Sequence, residues 1–282
     1  MCGPFRPLLA SLLLFSCATP QRYIFRDSPI SLPGLTEKGD YVLTGRVGGN
    51  APSDRYDAPS LSGFDGQAAY ALTNRFSVDA SFSGRSGYYA GTGASLFDSA
   101  QLWYNNVKWE LGGALTLPIR GHAYFAPSAG FGGGVFRIAD WELQYDSGTI
   151  QKTSTYYYNT RLTQFYVQPA FLFKWDRIDL AFGWRFSMNF FPHVSTNYSD
   201  DQQARLWVNG LQGTDLLMDQ LFVLLRVYPG THALHLEFQA GNNETIAAQQ
   251  YRFYKWNGSM GIGLDLYQWK KERHRHNANV RE

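Results

Sequence analysis

The chain has 282 residues, a formal net charge of +2 at pH 7 and only 17% charged residues, which excludes a basic nucleic-acid surface. Aromatic residues make up 16%, and there are 28 glycines. That composition fits many short strands better than a helical bundle.

The first element along the chain is a leader. Arg6 supplies a positive charge, Leu8 to Phe15 form a short apolar run, and the run closes on Leu14-Phe15-Ser16-Cys17. Such a run is too short to span a bilayer. A small residue before a cysteine, behind a greasy stretch, has the form of a bacterial lipoprotein signal. Residues 1–16 are therefore expected to be removed, leaving Cys17 as a lipidated N-terminus. Cys2 leaves with the leader, so the mature chain keeps one cysteine and can form no internal disulfide or thiolate metal site. Residues 17–38 hold Pro20, Pro29 and Pro33 without a clear period and read as the lipidated cysteine and a periplasmic tether.

From Gly39 onward the dominant period is two. Phe76, Val78, Ala80 and Phe82 alternate with Ser77, Asp79, Ser81 and Ser83. Ile178, Leu180, Phe182, Trp184 and Phe186 alternate with Asp179, Ala181, Gly183, Arg185 and Ser187, and Leu234, Leu236 and Phe238 alternate with His235, Glu237 and Gln239. This is the pattern of strands with one apolar and one polar face. It predicts ten strands, over 40–49, 63–73, 75–87, 99–117, 122–138, 155–175, 177–191, 215–228, 231–241 and 251–269. Short turns near 73–74, 118–122, 175–177 and 229–232 alternate with long polar loops near 50–62, 87–98, 139–154, 192–214 and 242–250. That alternation matches a transmembrane barrel with short periplasmic turns and longer outer loops. An even strand count puts both ends of the barrel, and the tether with them, on the periplasmic side.

A soluble barrel also alternates, but it turns its apolar side inward. Here the apolar side is uniformly bulky and the polar side is sparse in charge and mixed in sign. Aromatics gather at both strand ends: Trp103, Tyr104, Tyr156, Tyr157, Tyr158, Phe190, Phe191, Tyr254 and Trp256 on the loop side, and Trp175, Tyr228, Tyr267 and Trp269 on the turn side. Two aromatic girdles are what a bilayer selects. The fold class expected is all-β: a single ten-stranded antiparallel up-and-down transmembrane barrel over 39–269, with a basic, solvated tail over 270–282.

The sequence from Leu35 to Asp40 after a proline-containing tether, the run Gln67 to Asn74, Trp109-Glu110-Leu111-Gly112-Gly113 and Val167-Gln168-Pro169 together resemble outer-membrane β-barrel lipoproteins of Bacteroidetes-type bacteria. The resemblance covers most of the mature chain and implies an outer-membrane location. It transfers no activity and no catalytic residue.

The polar face supplies the candidate site. Arg46, Asp79, Glu110, Asp179, Arg185, Arg226, His235, Glu237 and Asp265 are expected to face the lumen. Buried charges need partners, so the first reading is a network that plugs a narrow barrel, helped by inward Tyr166, Phe222 and Tyr228. The second reading is a path for a small solute. A third is a hydrolase site on the outer rim, built on His193, Asp200 and Asp201 in the loop 192–214. No Gly-x-Ser-x-Gly elbow occurs. The glycines at 112, 113, 130 and 132–134 have no following helix to make a phosphate cradle, and they read as space within strands. No cofactor and no enzymatic activity are expected. The partners expected are outer-membrane lipids, no nucleic acid, and an extracellular partner of unknown kind met through the long loops.

Overall fold

The computed structural model describes residues 23–25, 30–51, 61–91, 100–146, 149–206, 208–230, 233–245, 252–253 and 255–269. Cys17 and the tail 270–282 lie outside these residues.

Among the described residues there are fifteen strands and, besides a short helical turn at 266–269, one helix: β1 (Tyr23–Phe25), β2 (Tyr41–Ala51), β3 (Leu61–Ala71), β4 (Phe76–Gly91), β5 (Ala100–Leu115), β6 (Leu117–Arg120), β7 (Ala123–Phe125), β8 (Ser128–Asp146), β9 (Thr149–Gln168), β10 (Ala170–Lys174), β11 (Ile178–Thr196), α1 (Asp200–Arg205), β12 (Asp215–Val227), β13 (Leu234–Thr245), β14 (Arg252–Phe253) and β15 (Trp256–Asp265). Ten of these positions make the barrel wall, because β5/β6, β7/β8 and β9/β10 are single strands interrupted once. The breaks fall at Thr116, at Ala126-Pro127 and at Pro169. Proline has no N–H to give to a ladder, so two of the three breaks sit where pairing must falter. Pairing between the same neighbours resumes beyond them, β6 on β7 and β7 on β10.

The order β2-β3-β4-β5-β8-β9-β11-β12-β13-β15 returns to β2, and all of these neighbours are antiparallel. The sheet is a closed ten-stranded antiparallel barrel with no free edge. The turns 72–75, 121–122, 175–177 and 228–233 share one end with the start of β2 and the finish of β15. The connections 52–60, 92–99, 147–148, 197–214 and 246–255 share the other.

The faces follow the sequence pattern. Phe64, Phe82, Trp109, Trp184, Leu221 and Phe238 point outward, each between 44% and 53% exposed. Arg46, Asp65, Lys108, Glu110, Arg185 and Glu237 point inward and are buried. Inward glycines give those long side chains room. A Cβ on Gly132 would lie 2.9 Å from Glu110 Cγ, and one on Gly261 would lie 2.7 Å from Arg46 Cγ.

Several expectations are corrected. The stretch 139–154 is mostly strand: β8 runs to Asp146, β9 starts at Thr149, and Asp146 pairs with Thr149. The loop 192–214 starts later, after Thr196, and carries α1. Tyr104, Tyr158 and Phe191 do not join a girdle. They are buried inside the barrel, because they share the inward parity of Asn106, Thr160 and Asn189. Residues 30–36 are no external tether. Ile30, Ser31, Leu32 and Leu35 are at most 4% exposed and lie within the barrel. Their backbone carbonyls and N–H groups meet inward side chains of the wall, which is what allows an irregular segment to be buried. β1 pairs with β14, in the last of the long connections.

Candidate functional site

The interior is filled by ion clusters and by a segment of the chain itself. Four residues in from its turn end, β13 places Glu237 where its two carboxylate oxygens meet two arginines. Arg46 of β2 donates Nε to Oε1, and Arg226 of β12 donates Nε to Oε2 at 2.7 Å. Arg46 also donates to Gln67 on β3. His235 Nε2 lies 3.9 Å from Glu237 Oε2, and its ring tilts against Tyr228 at 5.4 Å. Across the lumen, Glu110 of β5 lies 2.9 Å from Lys108 Nζ and 2.8 Å from Arg185 Nη2 of β11. The Arg185 guanidinium stands 3.8 Å over the ring of Tyr166, a cation–π contact that occupies its planar face. Arg85 of β4 pairs with Asp65 of β3 and donates to the Gly48 carbonyl at 2.8 Å. Asp65, Arg85 and Lys108 were not singled out from the sequence. Their parity with Gln67, Ser83 and Glu110 is the signal that finds them.

The turn half of the lumen is filled by residues 30–36. Gln239 accepts from the Ile30 N–H at 2.9 Å and donates to the Ile30 carbonyl at 2.6 Å. Ser31 Oγ donates to Asp79 Oδ2 at 2.5 Å and accepts from Gln67 at 2.7 Å, while Gln168 donates to the Ser31 carbonyl. Arg226 donates to the carbonyls of Leu32 at 2.6 Å and Pro33 at 3.1 Å. Lys174 Nζ donates to the Gly34 carbonyl at 3.1 Å. Ile30 and Leu32 pack on Ala126, Ala170, Leu172, Phe222 and Leu224. Gly34 has φ +60°, and a Cβ there would lie 2.9 Å from Leu172 Cδ2. Only glycine takes that conformation without strain, and a Cβ here would also press on the buried Leu172 side chain.

Below this plug a cavity of about 260 Å³ faces the turn end, lined among others by Asp40, Lys174, Asp179, Tyr228, His235 and Asp265. Asp179 accepts from Tyr228 Oη at 2.8 Å, and Asp265 Oδ1 accepts from the Gln268 N–H at 2.9 Å. Asp40, just before β2, accepts from the Glu37 N–H at 3.1 Å. Burial, with Glu37 nearby, raises its carboxyl above the ordinary value.

The loop end is closed by the connection 197–214. Leu206, Val208 and Leu211 pack on Leu102, Tyr104, Phe136 and Ile138 of the wall. Tyr158 Oη donates to the Val208 carbonyl at 2.7 Å, and Tyr198 Oη donates to Asp140 at 2.8 Å. Ser199 and Gln202 form a capping box that starts α1, and Asp200 and Asp201 sit in its first turn, where negative charge favours a helix N-terminus. His193 is exposed on β11, and Asp200 and Asp201 are exposed on α1. Among the described residues no group of three or more His, Cys, Asp or Glu could hold a metal ion.

No protein-family model matches the chain, and no curated protein matches it. Among solved structures, the translocator domain of the autotransporter NalP from Neisseria meningitidis matches with a TM-score of 0.52 at 10% identity, over 80% of this chain and 88% of that one. An outer membrane channel from Pseudomonas putida matches with a TM-score of 0.37 at 11% identity, over 84% of this chain and 100% of that one. Ail, the attachment invasion locus protein of Yersinia pestis, has a TM-score of 0.30 at 10% identity, over 81% and 99%. At such identities the likeness is one of fold. The fold is that of the outer-membrane β-barrels.

Proposed function

We propose that the protein is a lipid-anchored outer-membrane barrel that does not conduct and carries no chemistry of its own, and that it acts as a structural or surface-interaction protein. The observation that supports this is the filled lumen. Residues 30–36 run beside the Glu237 cluster to the turn end, the Glu110 cluster stands across from it, and Leu206, Val208 and Leu211 pack at the loop end. These fillings are tied to several strands, and among the described residues they occupy the space that a water path would need. The apolar exterior supports a bilayer around the barrel, and the long connections then face outward by the ordinary rule for such barrels. The leader and Cys17 support a lipid, as does the resemblance to outer-membrane barrel lipoproteins.

The test is electrical. Purified full-length protein inserted in a planar bilayer should give no steady single-channel steps. Reproducible steps would overturn the closed reading and favour a small-solute channel. Mass spectrometry of the native N-terminus should find an acylated Cys17, and an unmodified one would remove the anchor from the proposal.

A further inference from the structure

The contacts of the N-terminal segment have a direction. Ile30 is held by Gln239, which lies near the middle of β13. Leu32 and Pro33 are held by Arg226, two residues closer to the turn end along the β12–β13 ladder. Gly34 is held by Lys174, the last residue before the turn 175–177. The Lys38 N–H donates to Asn74 within the turn 72–75. The chain therefore descends through the lumen toward the turn end before entering β2. Upstream, β1 lies at the opposite end, parallel to β14 in the last long connection, with Tyr23 opposite Arg252 and Phe25 opposite Phe253. The two observations are independent and agree: β1 lies at the long-loop mouth, and residues 30–36 run to the short-turn mouth.

We propose that the mature N-terminus crosses its own barrel, so that position 17 lies at the outer face while the chain after β15 starts at the inner one. Length decides where the anchor can be. Six Cα–Cα steps join Cys17 to Tyr23 and reach at most ~20 Å. The hydrocarbon core is ~30 Å thick, so the chain is too short to return to the inner leaflet. Resting on the lipidation reading given above, the acyl chains enter the outer leaflet, on the same side as the long loops. This replaces the expectation that the anchor is periplasmic.

Thiol labelling on intact cells tests the threading. Gln21→Cys and Thr19→Cys are each made in the full chain, with Asp176→Cys, exposed in a short turn, as the inner-face control. A membrane-impermeant maleimide should label at least one of the first two on intact cells, with no gain on permeabilising the outer membrane. The Asp176→Cys protein should gain its label only on permeabilisation. With the labelled position read from the peptide mass, if neither N-terminal position reacts on intact cells, or if position 176 does, the proposal falls. A second measurement reports on the lumen itself. In the Ser31→Cys/Asp79→Cys protein, oxidation should join the two positions, and failure to join them also overturns the threading. The mass of the N-terminal peptide keeps the two readings apart. An unmodified Cys17 with outside labelling removes the lipid and keeps the threading. An acylated Cys17 with label only after permeabilisation does the reverse.

Discussion

Glu237 carries more of the interior than its place in one strand suggests. It is fully buried and holds Arg46 and Arg226 together, and Arg226 in turn holds the carbonyls of Leu32 and Pro33. Removing one member of a buried ion cluster leaves the others uncompensated, at a cost of about 3–5 kcal/mol. Glu237→Gln should therefore lower the midpoint of urea unfolding markedly, read by the loss of the compact band in unheated gels. Leu236→Arg, one residue away on the outer face, should cost about 2–4 kcal/mol at the bilayer midplane. The two changes are expected to be comparable in size but different in kind. The first should weaken a barrel that has inserted, whereas the second should reduce the inserted fraction in vesicle-folding assays. Asp40 gives the pH dependence. Its folded carboxyl titrates above the ordinary value of 3.8, so the folded state binds this proton more tightly than the unfolded one. The resulting stabilisation is present in acid below the ordinary value and is lost as pH rises through the raised folded value. The stability of Asp40→Asn relative to the parent should accordingly improve on going from acid to neutral pH. A difference that does not change with pH would remove Asp40 from the account.

At the scale of elements, the wall was legible and the fillings were not. Alternation places each strand and its faces because the period of two is enforced by a bilayer on one side and a polar lumen on the other. Inside and outside then follow for Arg185 or Glu237 from their neighbours alone. Tyr104 and Tyr158 show where composition misleads: an aromatic near a strand end suggests a girdle, yet its parity with Asn106 and Thr160 already turns it inward. The plug was not legible because Ile30-Ser31-Leu32-Pro33 has no period at all. Its order comes from side chains of six other strands, which no local pattern carries. Two substitutions probe these fillings. Gly34→Ala forces a Cβ into a left-handed conformation against Leu172, costing roughly 1–2 kcal/mol from backbone strain alone. It should increase the reactivity of a Ser31→Cys thiol toward a maleimide applied at the turn end. Ser199→Ala removes the capping hydroxyl of α1, worth ~1 kcal/mol. It should speed amide exchange over 200–205 while leaving the wall strands unchanged.

For the whole molecule, the seam is the informative place. β15 closes on β2 over ten residue pairs, from Trp256–Ala51 to Asp265–Val42, joining the last wall strand of the chain to the first. Residues 30–36 lie inside that ring while remaining continuous with β2. An up-and-down sheet can add strands one after another and curl as it grows, but it cannot admit a rod sideways after it has shut. The threading proposed above implies an order of assembly. The N-terminal stretch settles against the open sheet first, through Asp79, Gln168 and Arg226, and the sheet then wraps round it and zips at β15–β2. The finished object is a bolt held in its own sleeve, and drawing it out would require breaking contacts to most of the circumference. On the threading proposed above, whatever delivers the unfolded chain to the membrane has to let its leading end pass to one side and its trailing end stay on the other before the zip closes.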